Sequence, residues 1–123
     1  MNISSFKVLI LYQKIKIQKM TIAIPASNKS IDSSVDDRFG RCPFFCLYNQ
    51  ETRQIEFKEN SLRNGSGGVG PQVVEFLANK GVNKIYAVEF GPKAKEMLDK
   101  LKIETQVVEI KQTVSEIIEL FNH

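Results

Sequence analysis

The sequence is poor in the side chains that soft metals prefer. It has one histidine, at position 123, and two cysteines, Cys42 and Cys46. Their C-x-x-x-C spacing matches neither a zinc-binding nor a redox motif. In one extended strand the two thiols would stand roughly 13 Å apart, beyond the reach of a disulfide or a shared ion, so separate roles are expected. His123, at the chain end, reads as a frayed residue and not a ligand. No apolar run approaches the ~20 residues a membrane span needs. The N-terminal run "VLILY" is too short for the core of a secretion signal, and no small-residue cleavage site follows it. These absences predict a reducing, cytoplasmic setting with no membrane partner.

Acidic residues are missing from residues 1–19, which carry Lys7, Lys14, Lys16 and Lys19. The net charge of +3 therefore becomes 3 − 4 = −1 for the rest of the chain. The basic balance is confined to that segment, and no nucleic-acid partner is expected. Met20 is followed at once by "TIAIP", the start of a buried strand. A single domain is thus expected over residues 20–123, with residues 1–19 a dispensable extension. A length of 123 residues, 42% hydrophobic and 25% charged, suits one core. No internal repeat or low-complexity linker interrupts it.

After "TIAIP" a polar loop runs to about Arg41. "PFFCLYN" and "RQIEFKEN" then read as a hairpin turning at Asn49 to Thr52. A glycine-rich stretch, "RNGSGGVGPQVVEFLANKG", leads into a helix with Val73, Val74, Leu77 and Ala78 on one face. Pro71 suits its first position and Gly81 the position past its end. "KIYAVEF" is a strand, "PKAKEMLDKLK" a helix and "ETQVVEI" a strand. Thr113 and Glu116 form a capping box for a last helix with Val114, Ile117, Ile118 and Phe121 on one stripe. The order βββαβαβα predicts an α/β fold with a mixed five-stranded sheet of order 3-2-1-4-5 and three helices. This layout puts the glycine loop, the 26–41 loop and the Gly91-Pro92 helix start at one sheet edge, where open α/β sheets bind ligands.

Gly65, Gly67 and Gly70 satisfy G-x-G-x-x-G, and Glu89 lies near the position of a ribose-binding acid. A dinucleotide fingerprint, however, begins directly after a buried parallel strand, whereas Ser61 to Asn64 intervene here and "RQIEFKEN" alternates as a half-exposed strand. A P-loop is excluded because Gly70 precedes Pro71 and Gln72, not Lys and Ser or Thr. Two readings stay open for the glycines, an anion cradle and a tight turn. Nuclease chemistry needs metal-binding carboxylates on the central strand, and "TIAIP" has none. Asp32, Asp36 and Asp37 fall in the loop, where turn or capping roles are commoner. Cys46, inside "FFCLY", is expected to be a buried hydrophobe. Cys42, beside Arg41 and near the helix starts, is expected in an electropositive setting that favours a thiolate.

Taken together, "IAIP", "SSVDDRFGRCPFF", "GVGPQVVEFLANKGV" and "GPKAKEML" resemble, in order and spacing, the dinitrogenase iron-molybdenum cofactor biosynthesis family. The resemblance covers about Met20 to Ile110. It implies a ribonuclease-H-like motif without nuclease activity, and a non-enzymatic binding or carrier protein. Its implied cargo is an iron-sulfur or molybdenum-containing metallocluster, or a precursor, exchanged with cluster-assembly or recipient proteins. Carried onto this chain, Cys42 would be the soft metal ligand, and Arg38 and Arg41 would neutralise charge. The amides around Gly67, Gly68, Gly70 and Gly91 would receive anionic sulfide or carboxylate. Many members resemble "HFG" where this chain has "RFG", so Arg38 replaces a histidine that could ligate metal. The rival class is a metal-free regulatory or interaction domain that binds an anionic ligand.

Overall fold

The computed structural model describes residue 5, residues 7–9 and residues 20–122. The expectation that residues 1–19 are dispensable falls largely outside these residues, and the one for His123 wholly so. From Met20 the chain forms β1 (Thr21–Ala26), β2 (Phe44–Asn49), β3 (Ile55–Glu59), α1 (Val69–Asn79), β4 (Lys84–Ala87), α2 (Pro92–Lys100), β5 (Glu104–Val107) and α3 (Val114–Asn122). The sequence of elements is the expected one, although β4 and β5 stop at Ala87 and Val107, short of the ends of their apolar runs.

One mixed sheet results, in the order β3-β2-β1-β4-β5. β2 is antiparallel to both β1 and β3, while β4 is parallel to β1 and β5. This is the sheet order expected from the sequence, and it agrees with the ribonuclease-H-like motif that the family resemblance implied. β1 takes the central place because both of its faces are apolar. Ala23 joins the layer under α1 and α2, while Ile22 and Ile24 join the layer under α3. A strand buried on both sides must read as a continuous apolar run, as "TIAIP" does.

α1 buries Val73, Val74 and Leu77 against Phe45, Leu47 and Ile85, and α2 adds Ala94 and Leu98. Full burial of a side chain such as Leu77 contributes about 1.5–3 kcal/mol relative to exposure. α1 closes at Gly81, whose φ of 79° lets its N–H reach the Ala78 carbonyl while the Val82 N–H reaches Leu77. On the opposite face α3 sets Val114, Ile117 and Ile118 on Ile22, Ile24 and Tyr86. Cys46 lies in this second layer with no exposed surface, opposite Ile24 in β1, as its position within "FFCLY" predicts.

The capping box of α3 is formed. The Glu116 N–H donates to Thr113 Oγ1 at 3.2 Å, and the Thr113 N–H donates to Glu116 Oε1 at 3.1 Å. The loop between β1 and β2 then folds over this helix start: Ile31 O accepts from Ser115 N at 2.8 Å and Ser33 O from Val114 N at 3.0 Å. The first amides of α3 are therefore occupied from within. Those of α1 and α2 open on the other face, at the C-terminal ends of β1 and β4.

Candidate functional site

A cleft of about 550 Å³ opens at that sheet edge. Three segments line it: Asp37 to Arg41 from the first loop, Gly68 to Pro71 at the start of α1, and Glu89 with Gly91 to Ala94 at the start of α2. Their close approach depends on two missing side chains. A Cβ on Gly40 would stand 3.1 Å from Val69 Cγ2, and one on Gly70 would stand 3.2 Å from Ala94 Cβ. The first loop thus lies directly on α1, and α1 lies directly on α2.

α1 begins earlier than its proline suggests. Gly67 and Gly68 have φ of 55° and 53°, Gly68 is the N-cap, and Val69 is the first helical residue. Pro71 therefore stands at the third position and not the first. Its missing N–H costs no intrahelical bond there, but it removes one donor from the cleft. The remaining outward donors at this end are the N–H groups of Gly68, Val69 and Gly70. At α2 the expectation holds, with Gly91 as N-cap and Pro92 as the first helical residue. Both helix ends carry a partial positive charge and aim N–H groups at one cleft.

The cationic side chains in the cleft are less available than their number suggests. Arg38 is engaged with the buried carboxylate of Asp36: Nε donates to Oδ1 at 3.0 Å, Nη2 to Oδ2 at 2.9 Å, and the Arg38 N–H to Oδ1 at 2.9 Å. Arg41 uses Nη1 on the glycine loop, donating to the carbonyls of Arg63 at 2.8 Å and Gly65 at 2.9 Å. Lys93, which sequence reasoning overlooked, lines the cleft and forms no ion pair among the described residues. Its signal was its place directly after Pro92, in the first turn of a helix facing the site. Asp37 and Glu89 add two carboxylates, and Phe39, Val69, Pro71, Pro92 and Ala94 make the walls apolar.

Arg38 also governs a pH effect. Burial alone would raise the Asp36 carboxyl, but the Arg38 side-chain and backbone hydrogen bonds and its charge outweigh that and hold it below the ordinary carboxylate value. A depressed folded-state pKa contributes stability above the unfolded pKa of about 3.9, and this is lost as pH falls through the folded value. Arg38→Met is therefore expected to lower the melting temperature at pH 7, and the gap from the parent should narrow below about pH 4. Thermal unfolding across pH 2.5–7 measures the gap; a constant one would show that the ion pair is not its source.

Cys42 corrects the sequence-based expectation. Its side chain has no exposed surface and belongs to the core under α1 and α2, and it does not line the cleft. Its S–H donates to the Phe39 carbonyl at 3.6 Å. Burial, with the nearby Asp36 charge, pushes the thiol up to about 12, so it is un-ionised at neutral pH. The cause is the turn between Phe39 and Pro43. Asn60, itself buried, donates through Nδ2 to the carbonyls of Gly40 and Cys42 at 3.1 and 2.9 Å, pulling this turn onto the start of the 60–68 loop. The Cys42 side chain is thereby directed into the core. Gly67 precedes the lining residues by one position, whereas Arg38, Arg41, Gly68, Gly70 and Gly91 all meet in the cleft as expected.

No group of three or more His, Cys, Asp or Glu suited to holding a metal ion occurs among the described residues. No helix among them is long and apolar enough to cross a membrane.

Comparison with known proteins agrees with this architecture. The family model described as dinitrogenase iron-molybdenum cofactor matches residues 20–123. The apo form of the orange protein from Desulfovibrio gigas superposes with a TM-score of 0.78 at 28% identity, over 84% of this chain and 87% of that one. An NMR structure of a provisionally assigned NifB protein from Thermotoga gives 0.73 at 35% identity, again over 84% and 87%. An uncharacterized protein of Methanocaldococcus jannaschii is 34% identical over 110 residues, 87% of this chain and 89% of the relative. With nearly all of the folded part matched and the sheet order shared, the chain belongs to the dinitrogenase iron-molybdenum cofactor family.

Proposed function

We propose that the cleft binds an anionic metal-sulfur cluster, or a precursor of one, as cargo, and holds it without covalent ligation. The observation that carries this reading is the pairing of two open helix N-termini with apolar walls and few uncompensated charges. A small, hard anion such as phosphate gains most from concentrated cationic charge. Here Arg38 is spent on Asp36, and the lining includes Asp37 and Glu89 as well as Lys93. A large, polarisable anion with diffuse charge loses less on leaving water and gains from dispersion contacts with Phe39, Val69 and the two prolines. The donor set agrees, because no thiolate or imidazole lines the cleft and the contacts on offer are N–H groups and one ammonium. Membership of a cofactor family and likeness to the orange protein and a NifB-type protein support a cofactor-binding or carrier role, with no catalytic group required.

The test uses tetrathiomolybdate, whose visible absorbance reports binding directly. Anaerobic gel filtration of the full chain with this anion is expected to carry the colour with the protein, and excess phosphate or citrate should not displace it. If phosphate or citrate binds and tetrathiomolybdate does not, the domain is a metal-free anion binder.

A further inference from the structure

We propose that Arg41 is a positioning residue: it orients the amides at the start of α1 by holding the glycine loop, and its positive charge is not what retains the ligand. Both N–H groups of Nη1 are committed to carbonyls far along the chain, those of Arg63 and Gly65. Among the described residues no other side chain bonds any atom of residues 63–68. The loop needs such a tie. A Cβ at Gly67 or Gly68 would meet nothing within 4 Å, so this stretch has no packing to locate it. Gly65 is the last tethered point before the two left-handed glycines, and a Cβ there would stand 3.0 Å from Val69 Cγ1. The position of residue 65 thus sets where the amides of residues 68–70 are aimed.

The tie has a fixed base. Asn60 donates to the carbonyls on either side of Arg41, those of Gly40 and Cys42, and its Oδ1 accepts from the Leu62 N–H at 3.2 Å. Its own N–H reaches the Pro43 carbonyl at 2.9 Å. The buried amide therefore joins the two loops at their roots, and the exposed guanidinium joins them near the ligand. A planar guanidinium can hold two carbonyls from one nitrogen in a defined direction, whereas an ammonium at the end of a flexible stem cannot fix that geometry.

Charge and positioning separate with citrulline, a neutral, planar analogue that keeps one terminal NH2, enough to donate to both carbonyls as Nη1 does, and replaces the other NH2 of arginine with a carbonyl oxygen. Cys42 permits its installation by ligating a synthetic 1–41 thioester to an expressed, nitrogen-15-labelled 42–123 segment, giving the full chain. Arg41→Lys and Arg41→Ala complete the set. In the free protein, backbone order parameters for residues 65–68 are expected near about 0.85 for arginine and citrulline, and below about 0.6 for alanine. The second readout rests on the cleft's reading as an anion site. Tetrathiomolybdate affinity should stay within roughly threefold of the parent for citrulline and fall about tenfold or more for alanine, with lysine nearer to alanine. Parent affinity in the lysine protein with loss in the citrulline protein would make Arg41 a simple neutralising charge and overturn the proposal, as would a rigid loop in the alanine protein. If the parent binds no tetrathiomolybdate the cargo reading fails, while the order parameters still decide whether Arg41 sets the loop.

Discussion

Gly68→Val is expected to cost the cleft most of its anion affinity while leaving the core in place. Gly68 has a φ of 53° at the N-cap of α1, a conformation that costs an ordinary residue about 1–2 kcal/mol and a β-branched one more. The chain can escape that strain by unwinding the loop and the first turn, where the outward amides lie. An unfavourable shift of about 1–2 kcal/mol in the competent arrangement lowers its population by a factor of roughly 5–30. The expected loss of tetrathiomolybdate affinity is at least that large, because the branched side chain also stands over the donors. Gly68→Asn is the informative partner, since asparagine tolerates the left-handed region. It should recover part of the affinity and nearly all of the melting temperature. Equal, severe loss in both would mean that obstruction alone matters, and unchanged binding in both would remove the start of α1 from the site.

The second large effect concerns the buried thiol. Cys42→Ser is expected to destabilise the fold by roughly 1–3 kcal/mol, because it places a hydroxyl in an apolar site whose nearest acceptor, the Phe39 carbonyl, is already at 3.6 Å from the larger sulfur. For a domain of this size that is a fall of at least about 4 °C in melting temperature. Bound metal per folded molecule should not change. Cys42→Ala, which removes the thiol without adding a polar group, should do less harm and bind equally well. The opposite pattern, intact stability with lost metal, would show that the thiol reaches the cargo.

The reversal at Cys42 marks where the sequence stops being informative. The continuous apolar run "FFCLY", the capping box of Thr113 and Glu116, and the Gly91-Pro92 helix start are written in neighbouring residues, so the strands, the helix faces and the 3-2-1-4-5 order followed from them. The direction of the Cys42 side chain depends on Asn60, eighteen residues later, and the employment of Arg41 on carbonyls more than twenty residues away. Neither partner has a periodicity that announces it. Pro71 misled for a related reason. It fits a first helical position locally, but the left-handed pair Gly67 and Gly68 bends the chain early enough for the helix to begin at Val69. The convergence of glycine loop, first loop and second helix was thus legible, because topology alone brings them together. Which side chains remain free there was not.

The bonds that carry the first loop across to α3 bear on how the protein is made. Val35 donates to the Gln112 carbonyl, and Ile31 and Ser33 accept from the first amides of α3, so the segment leading to Asp36 and Phe39 is anchored from beneath the sheet. During synthesis the cleft's first wall emerges early, tied to β1 by the Asp36 N–H on the Pro25 carbonyl at 2.9 Å, but its second anchorage waits until residues 112–115 have followed. A growing chain therefore holds that wall from one side only until its last helix has begun. If the cleft carries the proposed cargo, its first wall reaches its final anchorage only in the completed domain.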